Sequence, residues 1–141
     1  MARLKNDKRE LLKAVLLYFL KEENIVDYTI CISICYCDGG IRLFKSTVRG
    51  LNTPPYVKIY VHKTKALLAI TPDEKRTLTT HKTPGNIYAE NGKMVIYSKK
   101  LCVALYREMD WDKDKLYRVP GRIMKEGNVA YFDLNKAEAL N

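Results

Sequence analysis

The apolar positions change period several times along the chain, and each change marks an element. Over residues 8–21, Leu11, Leu12, Val15, Leu16, Phe19 and Leu20 recur at intervals of three and four. That spacing predicts an amphipathic helix with one broad apolar face. Asn6 or Asp7 can cap its start, while Lys5, Lys8, Arg9 and Lys13 crowd its first part and oppose the helix dipole. A period of two follows over residues 28–37, with Tyr and Ile at the even positions and Cys31, Cys35 and Cys37 at odd ones. Alternate side chains leave opposite faces of a strand, so the three thiols are expected on one side. Asp38-Gly39-Gly40 then turns the chain into a short strand over 41–44, because Asp and Gly supply the positive φ of a tight turn.

Residues 45–51 read as a short helix, and Pro54-Pro55 prevents it from continuing. Val57, Ile59 and Val61 alternate with polar or aromatic neighbours, residues 63–65 turn, and residues 66–70 return as the second arm of a hairpin. The stretch 71–85, with Pro72 and Pro84, reads as an extended connector containing one edge strand. Strands over 87–89 and 93–97 are expected to bracket a turn at Glu90-Asn91-Gly92. Ser98 is placed to cap a helix carrying Leu101, Cys102, Leu105 and Met109 on one side. A closing hairpin pairs 116–124 with 129–134, and 135–141 reads as a short frayed turn.

The same series therefore occurs twice: glycine turn, short strand, helix, hairpin, over 39–70 and again over 92–134. A shift of 53 positions lays Leu43 on Ile96, Phe44 on Tyr97 and Val48 on Leu101. Halves this small cannot each bury a core, so they are expected to close one interior between them. The predicted class is α+β: an N-terminal helix packed on a small β-barrel or bent antiparallel sheet built from two strand-helix-hairpin repeats. The expected organisation is a single domain, 1–141, comprising the N-terminal helix (1–26), a first unit (27–71), a connector (72–86) and a second unit (87–141).

Composition sharpens this picture. An apolar content of 47% and ten tyrosines argue for an ordered globule. No apolar run approaches the roughly 18 residues that cross a bilayer, so a cytoplasmic protein with no membrane partner is expected. Structural zinc sites place cysteine pairs two to four residues apart, with a second pair elsewhere, and neither His62 nor His81 completes such a set. Cys31, Cys35, Cys37 and Cys102 are accordingly read as reduced packing residues, with no metal and no cofactor expected. Asp110-Trp111-Asp112-Lys113-Asp114 begins like a calcium loop, but Lys115 stands where the bend needs Gly and Gly121 where a bidentate Glu belongs. No nucleophile elbow or phosphate-cradling glycine loop occurs, so the chain is expected to be non-catalytic.

Net charge is +9, from 25 basic and 16 acidic side chains, which favours a polyanionic partner. The cations fall at matching places in the two units: Arg42, Lys45 and Arg49 in the first, and Lys93, Lys99 and Lys100 in the second. Two such clusters flanking one surface can hold phosphates and fix register without reading bases. Tyr56, Tyr60, Tyr88, Tyr97, Tyr106, Tyr117 and Tyr131 are candidates for stacking on unpaired bases, or for ordinary packing on a sheet.

The run Gly40-Ile41-Arg42-Leu43-Phe44-Lys45-Ser46-Thr47-Val48-Arg49-Gly50-Leu51, with the hairpin over 56–70 behind it, resembles the AbrB/SpoVT type of swapped-hairpin DNA-binding domain. That resemblance implies two interlocked units closing one barrel, here fused in a single chain. It also implies a small regulator that contacts duplex DNA through cations near the first strand and helix. The alternative partner is a protein or nucleoprotein complex. The chain would then be a binding module such as a mobile-element or phage inhibitor, anti-CRISPR-like, with a buried aromatic or apolar patch as its anchor.

Overall fold

The computed structural model describes residues 30–62, 64–124 and 128–140; the helix expected over 8–21 lies outside them. The strands are β1 (Ile30–Cys35), β2 (Gly40–Leu43), β3 (Tyr56–His62), β4 (Leu67–Asp73), β5 (His81–Lys82), β6 (Met94–Tyr97), β7 (Leu116–Met124), β8 (Val129–Asp133) and β9 (Glu138–Leu140). Two helices, α1 (Lys45–Gly50) and α2 (Lys99–Glu108), follow β2 and β6. All nine strands join one antiparallel sheet in the order β5-β3-β4-β8-β7-β1-β2-β6, with β9 also on β7. It curls into a nearly closed, barrel-like form, so the described residues make a β-rich fold with few helices.

The interior follows from the alternation. Ile32, Ile34, Ile41, Leu43, Val57, Leu68, Ile70, Ile96, Val119, Ala130 and Phe132 point inward from their strands into one apolar core. Val48 and Leu51 enter this core at α1, and Cys102, Leu105 and Tyr106 enter it from α2. The run Leu67-Leu68-Ala69-Ile70 does not alternate because both faces of β4 are covered there. Leu67 and Ala69 pack outward with Met124, Val129 and Tyr131 in a second buried cluster.

The pairing registers obey a twofold relation. In the β2–β6 ladder Ile41 pairs Ile96, Arg42 pairs Val95 and Leu43 pairs Met94. Moving the numbering on by 53 exchanges the outer two of these pairs and leaves Arg42–Val95 at the centre. The hairpins follow a longer shift, in which Tyr60 falls on Arg122 and Ala69 on Tyr131. The pairs Ile59–Ile70, Tyr60–Ala69, Val61–Leu68 and His62–Leu67 then reproduce the four β7–β8 pairs. The shift grows partly because α2 has 10 residues and α1 only 6, and partly because a longer link joins α2 to the second hairpin. β1 lies on β7 through Ile32–Val119 and Ser33–Arg118, and β5 lies correspondingly on β3 through His81–Val57 and Lys82–Tyr56.

Three local expectations are corrected. Residues 85–92 form successive turns, not a strand, since β6 takes β2 as its partner and leaves 87–89 without one. The tail does not end in a frayed turn: a 3-10 turn (Leu134–Lys136) carries it past β8, and β9 pairs Leu140, Ala139 and Glu138 with Leu116, Tyr117 and Arg118. Cys31 and Cys35 share the outer parity of β1, but Cys37 falls in the turn beyond it and leaves the row.

Candidate nucleic-acid interface

The antiparallel β2–β6 pair decides where the predicted cations go. It spans four residues, so its ends are about 10 Å apart. At one end, where Leu43 meets Met94, stand Lys45 and Arg49 of α1 and Lys93, which precedes β6. Lys45 Nζ donates to the Ala89 carbonyl at 2.8 Å, and the Arg49 guanidinium lies 4.9 Å over the Tyr88 ring. The Tyr88 hydroxyl bonds Thr53 Oγ1, which ties the 85–92 turns to the residues after α1.

At the other end, where Gly40 meets Tyr97, α2 begins with Lys99 and Lys100. Ser98 caps it, accepting from the Leu101 N–H at 3.4 Å. Lys99 Nζ donates to the Tyr36 carbonyl and sits 4.1 Å over the Tyr36 ring, with Lys113 Nζ at 5.5 Å from the same ring. The two clusters are counterparts: each helix start sends a lysine to a carbonyl of the turn before the other short strand, and each turn offers a tyrosine to a cation. Lys93 thus joins Lys45 and Arg49, and not Lys99 and Lys100, because antiparallel pairing puts the start of β6 against the end of β2.

Arg42 lies between the clusters on the outer face and is exposed. Its guanidinium reaches Asp38 at 3.5 Å across a solvated gap, a pair worth at most about 1 kcal/mol. Burial opposes ionisation of Asp38, yet the Gly40 N–H at 2.8 Å, Cys35 and Arg42 together hold its carboxyl below the ordinary range. Across the sheet from Arg42, register places Ser33 and then Arg118 on the same outer row. Arg118 is exposed. Sequence reasoning missed it because it sits mid-strand in the second hairpin, away from either glycine turn.

The tyrosines divide sharply. Tyr106 and Tyr131 are fully enclosed and Tyr117 is buried, so Tyr56, Tyr60, Tyr88 and Tyr97 are the ones of the expected seven that reach the surface. Around Tyr106 the rings of Tyr36, Trp111 and Tyr117 form a packed cluster, with Trp111 stacked on Tyr117 at 4.5 Å. This cluster is the support on which Lys99 and Lys113 rest through Tyr36.

Among the described residues, Cys35, Cys37 and Asp38 bring ligand-type atoms within 4.8 Å of one another. The Asp38 carboxylate is already engaged by Gly40 and Arg42, which makes it part of the turn. The Cys37 thiol is raised first by its contact with Cys35, 2.7 Å away, and burial pushes Cys102 up to about 11. Exposure then decides reactivity. Brief iodoacetamide treatment followed by peptide mass spectrometry is expected to label Cys37 and spare Cys102 until the protein is unfolded. Equal labelling of both in the folded protein would contradict the burial of Cys102.

No described helix is long and apolar enough to cross a membrane. No protein family, curated protein sequence or solved structure matches this chain.

Proposed function

We propose that the chain is a non-catalytic nucleic-acid-binding protein, a small regulator made of two copies of one strand-helix-hairpin unit. The observation that carries this reading is the twofold register on Arg42–Val95. It sets the Lys45–Arg49–Lys93 group and the Lys99–Lys100 group on either side of an exposed arginine. A polyanion lying along the β2–β6 pair meets a cationic group at each end and Arg42 between them, and net charge favours its approach. Duplex DNA is the polyanion that the AbrB/SpoVT-type resemblance implies. The solvated Arg42–Asp38 pair costs little to exchange for a phosphate.

The test is binding of an arbitrary duplex measured at several salt concentrations. Each lost phosphate contact removes about 0.9 from the log–log slope, so Arg42→Ala/Arg49→Ala is expected to flatten it by about 1.8. Both residues are exposed, so the double variant keeps its fold. An unchanged slope would remove these arginines from the interface. Absence of any binding at low salt would favour a protein or nucleoprotein partner.

A further inference from the structure

The twofold register makes one place in the sheet incomplete. β1 bonds β7 on one side and β2 on the other, with six residue pairs and four residue pairs. Its counterpart β5 has two residues, pairs β3 and makes no ladder with β6. β6 therefore ends the sheet order with one edge unpaired by any described strand. Between the two edges lies an open cleft of about 440 Å³, lined by Tyr56, Arg76, His81, Lys82, Val95 and Tyr97 together with Thr80 and Ile96. That volume falls in the range of small-ligand sites.

We propose that this cleft binds an unpaired nucleotide of a single-stranded nucleic acid, its base stacked on Tyr97 and its phosphates held by Lys82 and Arg76. The proposal rests on the nucleic-acid reading above and adds a strand preference to it. Tyr97 is 66% exposed, so its ring is accessible to a stacking base. Tyr97 and Val95 share the outer parity of β6, and Tyr56 and Lys82 share the outer parity of their pair. The lining contains two cations, a histidine and two tyrosines and no carboxylate, which complements an anionic chain with a flat apolar base. His81 pairs the buried Val57 and so has the opposite parity from Lys82, and burial lowers its basicity, so it adds little positive charge to the cleft. Val95 pairs directly with Arg42, so a strand leaving the cleft reaches the arginine at the centre of the β2–β6 pair in one strand spacing, about 5 Å. A free edge of four residues also suits an extended peptide, and the experiment separates the two occupants.

The experiment uses the full chain and two labelled probes of equal length, an oligothymidine and a mixed-sequence duplex, read by fluorescence anisotropy. Tyr97→Ala is expected to weaken the oligothymidine by about five- to a hundredfold and leave the duplex within twofold, whereas Tyr97→Phe keeps wild-type affinity. Lys82→Ala is expected to weaken the oligothymidine and lower its salt slope by about 0.7. Wild-type protein that binds both probes, with Tyr97→Ala altering neither or both equally, overturns the cleft while the broader reading stands. That result would leave the β6 edge to an extended peptide. Wild-type protein that binds neither probe overturns both.

Discussion

Gly121→Ala is expected to destabilise the protein by about 3 kcal/mol, enough to remove much of the stability of an ordinary domain. Gly121 is where β7 changes partners: it pairs Ile30 of β1 and Phe132 of β8. A methyl group there would run into the Phe132 ring and the Tyr131 carbonyl oxygen. The ring sits in the core with no exposed surface and has nowhere to swing. The carbonyl is backbone, and the strand on each side of the glycine is held by ladder bonds, so neither obstacle gives way cheaply. Urea denaturation followed by circular dichroism measures the effect, and at the usual slope for a small domain the midpoint falls by about 1–3 M. Adding Phe132→Leu should recover part of the loss, because the ring is one of the two obstacles. A midpoint unchanged from the parent would contradict the close approach of β7 and β8 at this residue.

Tyr106→Ala is expected to cost about 3–5 kcal/mol, and Tyr106→Phe about 1–2 kcal/mol. The two variants separate the ring from its hydroxyl. The ring meets Tyr36, Trp111 and Tyr117 with centroids 5.3, 5.3 and 5.5 Å away. Its removal leaves a large cavity where α2 enters the core. The hydroxyl lies 2.9 Å from the Ile34 carbonyl and 2.6 Å from the Lys115 carbonyl, and its one proton serves both. Phenylalanine fills the space and leaves those carbonyls without that donor. Burial holds the phenol well above its ordinary pKa, so it stays protonated and donating throughout the neutral range. Trp111 fluorescence follows the alanine variant directly, since the indole loses its edge-on neighbour. Equal losses in the two variants would mean that the hydrogen bonds, and not the aromatic packing, hold this corner.

Much of the sheet was legible because its signals are local. Alternation at Val57, Ile59 and Val61, the Asp38-Gly39-Gly40 turn and the Ser98 cap each depend on residues within a few positions, and each element stands where it was expected. The order strand, helix, hairpin could be read twice for the same reason. The strand over 87–89 failed because alternation alone does not supply a partner; β6 pairs β2, and the intervening residues coil into turns. β9 escaped notice because three residues carry too little pattern to distinguish a strand from a tail.

The candidate site was legible as a set of cations but not as a grouping. Counting along the chain assigned Lys93 to the second unit, whereas antiparallel pairing delivers it to the first. Arg118 and Lys82 stayed hidden because their position beside Arg42 and Val95 depends on which strands lie next to one another. A single sequence does not contain that order. The exposed tyrosines were similarly indistinguishable from the buried ones, since Tyr97 and Tyr131 both stand in short apolar strands and differ only in whether their outer side is covered.

The ladders that join β2 to β6 and β4 to β8 bear on how the chain comes apart. A protease cutting the solvent-facing link at 74–79 severs one covalent bond but leaves every one of those cross-ladder contacts in place. Neither fragment can depart without exposing its share of a common interior, so the nicked molecule stays together until it melts. Either fragment made alone would be driven to find a second copy of itself to cover the same side chains.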